Sequence, residues 1–212
     1  METGPLSGSN RAPLGPARAG RRRLGARDNL GGVDMGRWAW LSPLGSEPIR
    51  LTPDNTVVTM SVRWLGGMIV RGRFTDVRGM IHVPVDDDDT AAVTVEIRAD
   101  SVRTGMGLRD RHLRGPQFLD ATRHPLITFR GGDVMRLPTH IAVPGSLTIR
   151  GVTRTEELRC SLERVGTARE LVADVTLSRR AYEVGVPSGV RRLDPLFVVI
   201  GDDVRISVVV SV

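Results

Sequence analysis

The 212-residue chain reads as all-β, and the architecture it predicts is a closed antiparallel barrel of eight strands with a short helical lid. Three observations lead there. From about residue 48 onward, apolar residues recur at every second position between turn signals, which is the period of strands. Helical periodicity is almost absent between those runs. The composition, 40% hydrophobic with only 4% aromatic residues, suits a core of aliphatics, and branched aliphatics pack well on a pleated surface. Closure removes exposed edges, and eight strands leave an interior just able to hold one ligand. A two-sheet sandwich is the alternative architecture.

The strands follow in order. Val58, Met60, Val62 and Trp64 share one face of the first long run, and a bent pair spans "MIVRGRFTDVRGMIHV". Val93, Val95 and Ile97 lie on one side of the next, with Thr94, Glu96 and Arg98 opposite. "PLITFRGGDV" supplies Phe129, and Ile141, Val143, Leu147 and Ile149 alternate after it. Leu158, Cys160 and Leu162 lead to Leu171, Ala173, Val175 and Leu177, and "DVRISVVVSV" ends the chain with Val204, Ile206, Val208, Val210 and Val212 in register. The inward face inferred from this alternation includes Val58, Met60, Val62, Val95, Ile97, Phe129, Ile149 and Leu177.

One interval breaks the rhythm. About twenty-five residues separate Asp100 from Leu126, more than a hairpin needs, and loops of that length are usually functional or locally folded. Asp110 is placed to cap a helical turn through the amides of His112 and Leu113, and Pro116 to open a second turn carrying Phe118 and Leu119. Leu108, Leu113, Phe118 and Leu119 would then form a lid over one barrel end, with Arg109 and His112 at its rim.

Charge and composition divide the chain. Residues 1–37 hold seven arginines against three acidic residues, so most of the net charge of +6 sits there. Residues 1–47 are rich in Gly, Pro and Arg and cannot bury enough apolar surface to offset the entropy of ordering, so a disordered tail is expected, with Met35 as an alternative start. Residues 48–212 form the expected barrel domain. Every basic residue is arginine, which reads as codon bias rather than selection. "RRRLGAR" is compatible with electrostatic attraction to nucleic acid or anionic lipid, but specific nucleic-acid recognition is not expected. No apolar run follows the arginines as a signal peptide requires, and none is long enough to span a bilayer as a helix, so a soluble cytoplasmic protein is expected. Cys160 is the single cysteine and lies on an apolar strand face, where a small buried hydrophobe is the simplest role.

Reactive chemistry finds little support. His112 and His124 lack the carboxylate and cysteine partners of a zinc site. The acidic run Asp86–Asp89 lacks the alternation and glycine of a calcium loop and reads as a solvated hairpin tip. Serine nucleophiles lack the Gly-flanked elbow and a base with an orienting acid. Neither catalytic residues, nor a metal, nor a cofactor is therefore assigned. Arg109 has two readings: contact with an anionic head group, or a clamp on Asp110 or Asp120 that holds the lid.

"SVRTGMGLRDRHLRGPQFLDATRHPLITF" followed by "PGSLTIRGVTRTEEL" resembles the YceI-like family of lipid- and polyisoprenoid-binding proteins. The matching residues run in order: Ser101 and Thr104, Arg109-Asp110, His112-Leu113-Arg114, Phe118-Leu119-Asp120, Pro125, then Ile127 to Phe129, Gly145, Leu147 to Ile149, and Gly151 to Thr153. The resemblance covers about residues 48–212 and implies an elongated, lipocalin-like barrel that accepts a long isoprenoid or fatty chain, with Arg179, taken as a further ligand contact, and Tyr182 kept from a later motif. This sequence departs from the family pattern at Asn55, Met60 and Trp64, and at Ala181 and Glu183, the last two in place of an aspartate and a glycine. The implied function is non-catalytic binding and transport or sequestration of an amphiphilic lipid. Transient contact with a membrane surface and a homodimer are the further partners it leaves open, and an enzyme acting on a lipid or a ligand-free stress-related barrel are the alternatives.

Overall fold

Alternation of apolar and polar residues becomes one antiparallel sheet in the computed structural model of the protein. The structure describes residues 44, 47–64, 67–84, 90–185 and 200–212, all within the unit Met35–Val212. Most of the expected tail, and the Asp86–Asp89 run, lie outside the described residues. The strands are β1 (Ile49–Leu51), β2 (Thr56–Trp64), β3 (Met68–Phe74), β4 (Val77–His82), β5 (Ala92–Arg98), β6 (Val102–Arg103), β7 (Leu126–Gly131), β8 (Met135–Arg136), β9 (Ile141–Ile149), β10 (Val152–Val165), β11 (Ala168–Ser178) and β12 (Asp203–Ser211). One helix, α1 (Gly107–Arg114), stands between β6 and β7.

Along the sheet the order is β1-β4-β5-β7-β9-β10-β11-β12-β2-β3-β6, with β8 adding to β9. This path of eleven strands is an open half-barrel, so the expected closed barrel of eight strands is corrected. The all-β class and the helical lid stand. The reason lies at the path's ends: β1 has three residues and β6 two, too short to ladder with each other along their length. Eight was also too few because alternation does not register two- and three-residue strands.

The two ends are brought together at a corner instead. β3 and β4 lie near opposite ends of the path, yet only Thr75 and Asp76 separate them in the chain. β5 and β6 span the same seam through the 3-10 turn Ala99–Ser101. Across it, the Arg98 amide donates to the Asp76 carbonyl at 3.0 Å, and the Thr75 hydroxyl donates to the Ser101 carbonyl at 3.2 Å. The buried Ser101 hydroxyl donates to the Arg98 carbonyl at 2.7 Å and accepts from the Thr75 amide at 3.2 Å.

Register sets which side chains share the interior. Val62 faces Val70 on one side and Val204 on the other, and Val204 faces Leu177. Met60, Ile206 and Val175 form the next row, and Phe74, Val58, Val208 and Ala173 the one after it. On the other flank Val95, Phe129 and Leu147 are aligned, as are Ile97 and Ile127. Phe129 demands space: a Cβ placed on Gly145 would lie 2.5 Å from its Cζ and one on Gly131 2.6 Å from its Cε1, so both neighbours must be glycine. β9 changes partner from β7 to β8 around Pro144, a residue with no N–H to give to a ladder. Its hairpin to β10 turns through Arg150 (φ 52°) and Gly151 (φ 77°), the backbone pair that suits right-twisted strands.

Cys160 is buried among this core, and burial pushes its thiol up to about 12. It stays protonated and inert at neutral pH.

The seam yields a prediction. Ser101→Ala removes a buried hydroxyl that serves two chain crossings and should lower unfolding free energy by about 1–3 kcal/mol, measured by urea denaturation. A loss within error would mean that the backbone bonds alone hold the corner.

Candidate ligand-binding site

The concave side of the sheet encloses a cavity of about 430 Å³. Its wall receives inward rows from β2, β3, β5, β7, β9, β10, β11 and β12, and one end is formed by α1, the turns after it and the turn after β11. The wall is apolar apart from Arg109, His112, Arg179, the Tyr182 hydroxyl and the Trp64 indole N–H, and among the described residues it includes no carboxylate, serine or cysteine.

The structure places all fourteen residues singled out in the sequence on this one wall. Val58, Met60 and Val62 come from β2, Val95 and Ile97 from β5, Phe129 from β7, Ile149 from β9 and Leu177 from β11. Leu108, Arg109, His112 and Leu113 come from α1, Phe118 from the turn beyond it and Arg179 from the turn after β11. Their environments differ. Val58, Ile97, Phe129 and Leu177 are buried against neighbours, whereas Met60, Val62, Val95 and Ile149 are only half-buried because they border open space.

Alternation missed several wall residues. Val70 and Phe74 belong to β3, whose run "MIVRGRF" alternates apolar residues with glycine and arginine and so hides its face. Val175, Val204, Ile206 and Val208 were in the sequence pattern but not selected, and Tyr182 and Val184 sit in a turn where no periodicity exists. Two departures from the family pattern, Met60 and Trp64, lie on the wall. A third, Asn55, lies elsewhere and caps the turn before β2, accepting from the Thr52 amide at 2.9 Å and donating to the Arg50 carbonyl at 2.9 Å. Glu183 adopts φ 55°, a left-handed conformation that explains why glycine suits this position.

The lid is held differently from the sequence expectation. α1 begins after Met106, so Asp110 is not its cap: it lies within the first turn, buried, and its carboxylate accepts from the amide (2.8 Å) and hydroxyl of Thr104. Arg109 completes the knot. Its Nε donates to the Thr104 hydroxyl oxygen at 2.8 Å and its Nη2 to the Thr104 carbonyl at 2.8 Å. The clamp therefore runs through Thr104, and among the described residues neither Asp110 nor Asp120 makes an ion pair with Arg109. Thr104 can be reached because β6 ends one residue earlier, beside β3. Arg109 Nη1 and the His112 ring have no hydrogen-bond partner among the described residues, and both side chains lie at the cavity wall. They stand one helical turn apart on the same side of α1, as i and i+3 neighbours do.

Pro116 opens a run of turns, as expected, and Phe118 and Leu119 are buried there. Asp120 is buried with φ 47°, its carbonyl accepting from the amides of Arg123 and His124. His124 packs against Gly151, away from His112.

Arg179 is buried and its guanidinium donates to the carbonyls of Gly201, Val184, Gly185 and Ile200, each at 3.0 Å. Burial lowers its pKa from the ordinary arginine value. With four N–H groups committed to main chain, it ties the turn after β11 to the strand-entry residues of β12. Tyr182, almost fully buried, donates to Glu156 at 2.7 Å, and burial together with that carboxylate raises its pKa.

The Thr104 hydrogen bonds hold Asp110 below the usual carboxylate range against the opposing effect of burial, with Arg114 and Arg103 adding to them. A depressed pKa contributes stability above the unfolded value of about 4, lost as pH falls through the folded one. Asp110→Ala should thus cost about 2 kcal/mol at neutral pH, and its deficit against the parent should shrink below about pH 4. Parallel denaturant curves at both pH values measure this, and a pH-independent deficit would contradict it.

Residues 50–212 match the YceI-like domain family. A UPF0312 protein of Pectobacterium carotovorum is 31% identical over 109 residues, covering 51% of this chain and 57% of its own, and a UPF0312 protein of Yersinia pestis is 34% identical over 115 residues, covering 53% and 59%. The chain thus spans little over half the length of these curated relatives. Among solved structures, BcnA of Burkholderia cenocepacia superposes with a TM-score of 0.63 at 17% identity, over 74% of this chain and 96% of that one. A polyisoprenoid-binding domain of Saccharophagus degradans gives 0.57 at 14%, over 77% and 96%. Structural likeness at such identities concerns the fold, but the family match takes in most of the chain and the motifs around α1, and the chain belongs to the YceI-like family.

Proposed function

We propose that the protein binds, and so sequesters or carries, a long-chain amphiphile of the polyisoprenoid or fatty-acid type. The observation that carries this reading is the cavity of about 430 Å³, within the size range of ligand sites, walled almost wholly by aliphatic and aromatic side chains. The description of one structural neighbour as a polyisoprenoid-binding domain is a second support. Burying an alkyl chain is worth roughly 0.8 kcal/mol per CH₂, so affinity rises with each prenyl unit until the cavity is full. Five aromatic residues, Trp64, Phe74, Phe118, Phe129 and Tyr182, stand in the wall and still leave space, which argues against a barrel plugged by its own side chains. A serine- or cysteine-based hydrolysis, or one run by a pair of carboxylates, would need those groups beside the ligand, and the described wall supplies none of them.

The cavity opens beside the start of α1, where the exposed Met106 and Leu108 border it, and the polar end of the ligand is assigned to this mouth. Arg109 Nη1 and His112 face the head group there, while the rest of the Arg109 guanidinium holds Thr104. Arg179 acts on the turn that shapes the wall and not on the ligand, because its donors already meet carbonyls.

Two measurements test these assignments. Native mass spectrometry of freshly purified protein should show an adduct that extraction identifies as a long-chain lipid, and affinity for prenols should increase with length and then level off. Val95→Trp and Val175→Trp, at half-buried wall positions, should lower prenol affinity at least tenfold with the fold retained. Unchanged affinity in both folded variants would move the ligand elsewhere. Separately, Arg109→Gln should weaken a prenyl phosphate about tenfold and the matching prenol much less, since only the phosphate loses a charge-assisted bond. Equal weakening of both, with a lowered Tm, would leave Arg109 as a lid clamp alone.

A further inference from the structure

Next to the mouth, the convex side of the sheet carries an unusual grouping. On the outward rows of β12, β2, β3 and β6, Arg205, Ser61 and Arg71 stand side by side across three strands, and Ser207, Thr59, Arg73 and Arg103 across four. These side chains line a shallow groove, and Asp110 is its one carboxylate. That group is buried and committed to Thr104. Arg73 lies directly opposite Arg103, a like-charge pairing that destabilises a sheet. Among the described residues, Arg71, Arg73 and Arg205 have no hydrogen-bond or ion-pair partner, and Arg103 is turned onto the carbonyls of Asp100 and Val102. Asp174, opposite Ser207, is the nearest acid in the outward row.

The same surface becomes apolar toward the mouth. Ile69 precedes Arg71 and Arg73 on the outward side of β3 and is 49% exposed, and Met68 beside it is 61% exposed. The chain leaving β6 runs back along β3, with Thr104 against Gly72, and carries Met106 and Leu108 the same way. They are 56% and 65% exposed although both border the cavity. Four large apolar side chains in water beside uncompensated guanidinium groups form a surface whose complement is apolar underneath and anionic on top. A bilayer has that layering: guanidinium groups meet phosphates while Met, Ile and Leu enter the acyl boundary.

We propose that this face, the outward side of β12, β2, β3 and β6 together with the cavity mouth, docks on a bilayer surface that carries anionic phospholipid. Docking there sets the mouth against the hydrocarbon, so an apolar chain passes between bilayer and cavity without crossing water. That purpose rests on the ligand reading above, but the contact itself does not.

The test is flotation of the full chain with vesicles of phosphatidylcholine alone or mixed with phosphatidylglycerol, with prenol affinity measured in parallel without vesicles. Binding to the mixed vesicles is expected to fall about twenty-five-fold in Arg71→Gln/Arg73→Gln, since each arginine near an anionic surface contributes roughly fivefold. Met68→Ser/Ile69→Ser should weaken it severalfold, and neither double variant should change prenol affinity. Arg130→Gln/Arg159→Gln, which removes the same charge from the outward rows of β7 and β10, serves as control and should bind nearly as the parent does. Equal loss in the control would reduce the effect to net charge and overturn the proposal. So would absence of vesicle binding, or binding to a soluble polyanion that loses as much as vesicle binding does on Arg71→Gln/Arg73→Gln with no effect of Met68→Ser/Ile69→Ser. Loss of prenol binding by the parent itself would sink the ligand reading and leave the vesicle result standing.

Discussion

Everything in this molecule depends on how one long antiparallel sheet is made to curl without closing. Its terminal strands, β1 and β6, are too short to pair along a seam, so the chain crosses the seam twice and the crossings are hydrogen-bonded to each other through Thr75, Asp76, Arg98 and Ser101. Fixing that corner fixes the curvature, and the curvature decides that alternate side chains of eight strands face a shared space. A flatter sheet with the same sequence would expose those rows to water.

The lid follows from the same corner. β6 leaves the seam beside β3 and ends at Arg103, which delivers Thr104 to Asp110 and Arg109. One threonine accepts from an arginine and donates to a buried carboxylate, so the position of α1 is set by a compact polar knot and not by apolar packing alone. Arg109 is thereby divided: two of its nitrogens serve the structure and the third is left at the cavity wall. Arg179 shows the other extreme, where the backbone takes up nearly all donors and the side chain becomes a brace for a turn.

The two sides of the sheet have different characters that alternation makes independent. Inward residues of β3, Val70 and Phe74, serve the cavity, while outward Arg71 and Arg73 serve the convex face. A substitution at one parity leaves the other chemistry largely intact, which makes separate measurement of cavity binding and surface docking feasible.

The sequence by itself determined the all-β class, the two-residue period of the long strands, the presence of a folded interval around α1, and the family through motifs spaced along residues 101 to 153. These are local properties: period, turn chemistry and spacing survive without knowledge of partners. Strand number and closure were decided only in three dimensions, because β1, β6 and β8 are stabilised by neighbours distant in sequence and have no period of their own. The cavity wall contributed by β3 was equally hidden, since glycine at position 72 and arginines at 71 and 73 mask its apolar row. The partners of Arg109, Asp110 and Arg179 were also undecidable in advance. Arginines and aspartates next to each other in the chain suggest pairing, but a helix turn and a strand end placed Thr104 between them, and a hydroxyl and main-chain carbonyls won the hydrogen bonds by proximity.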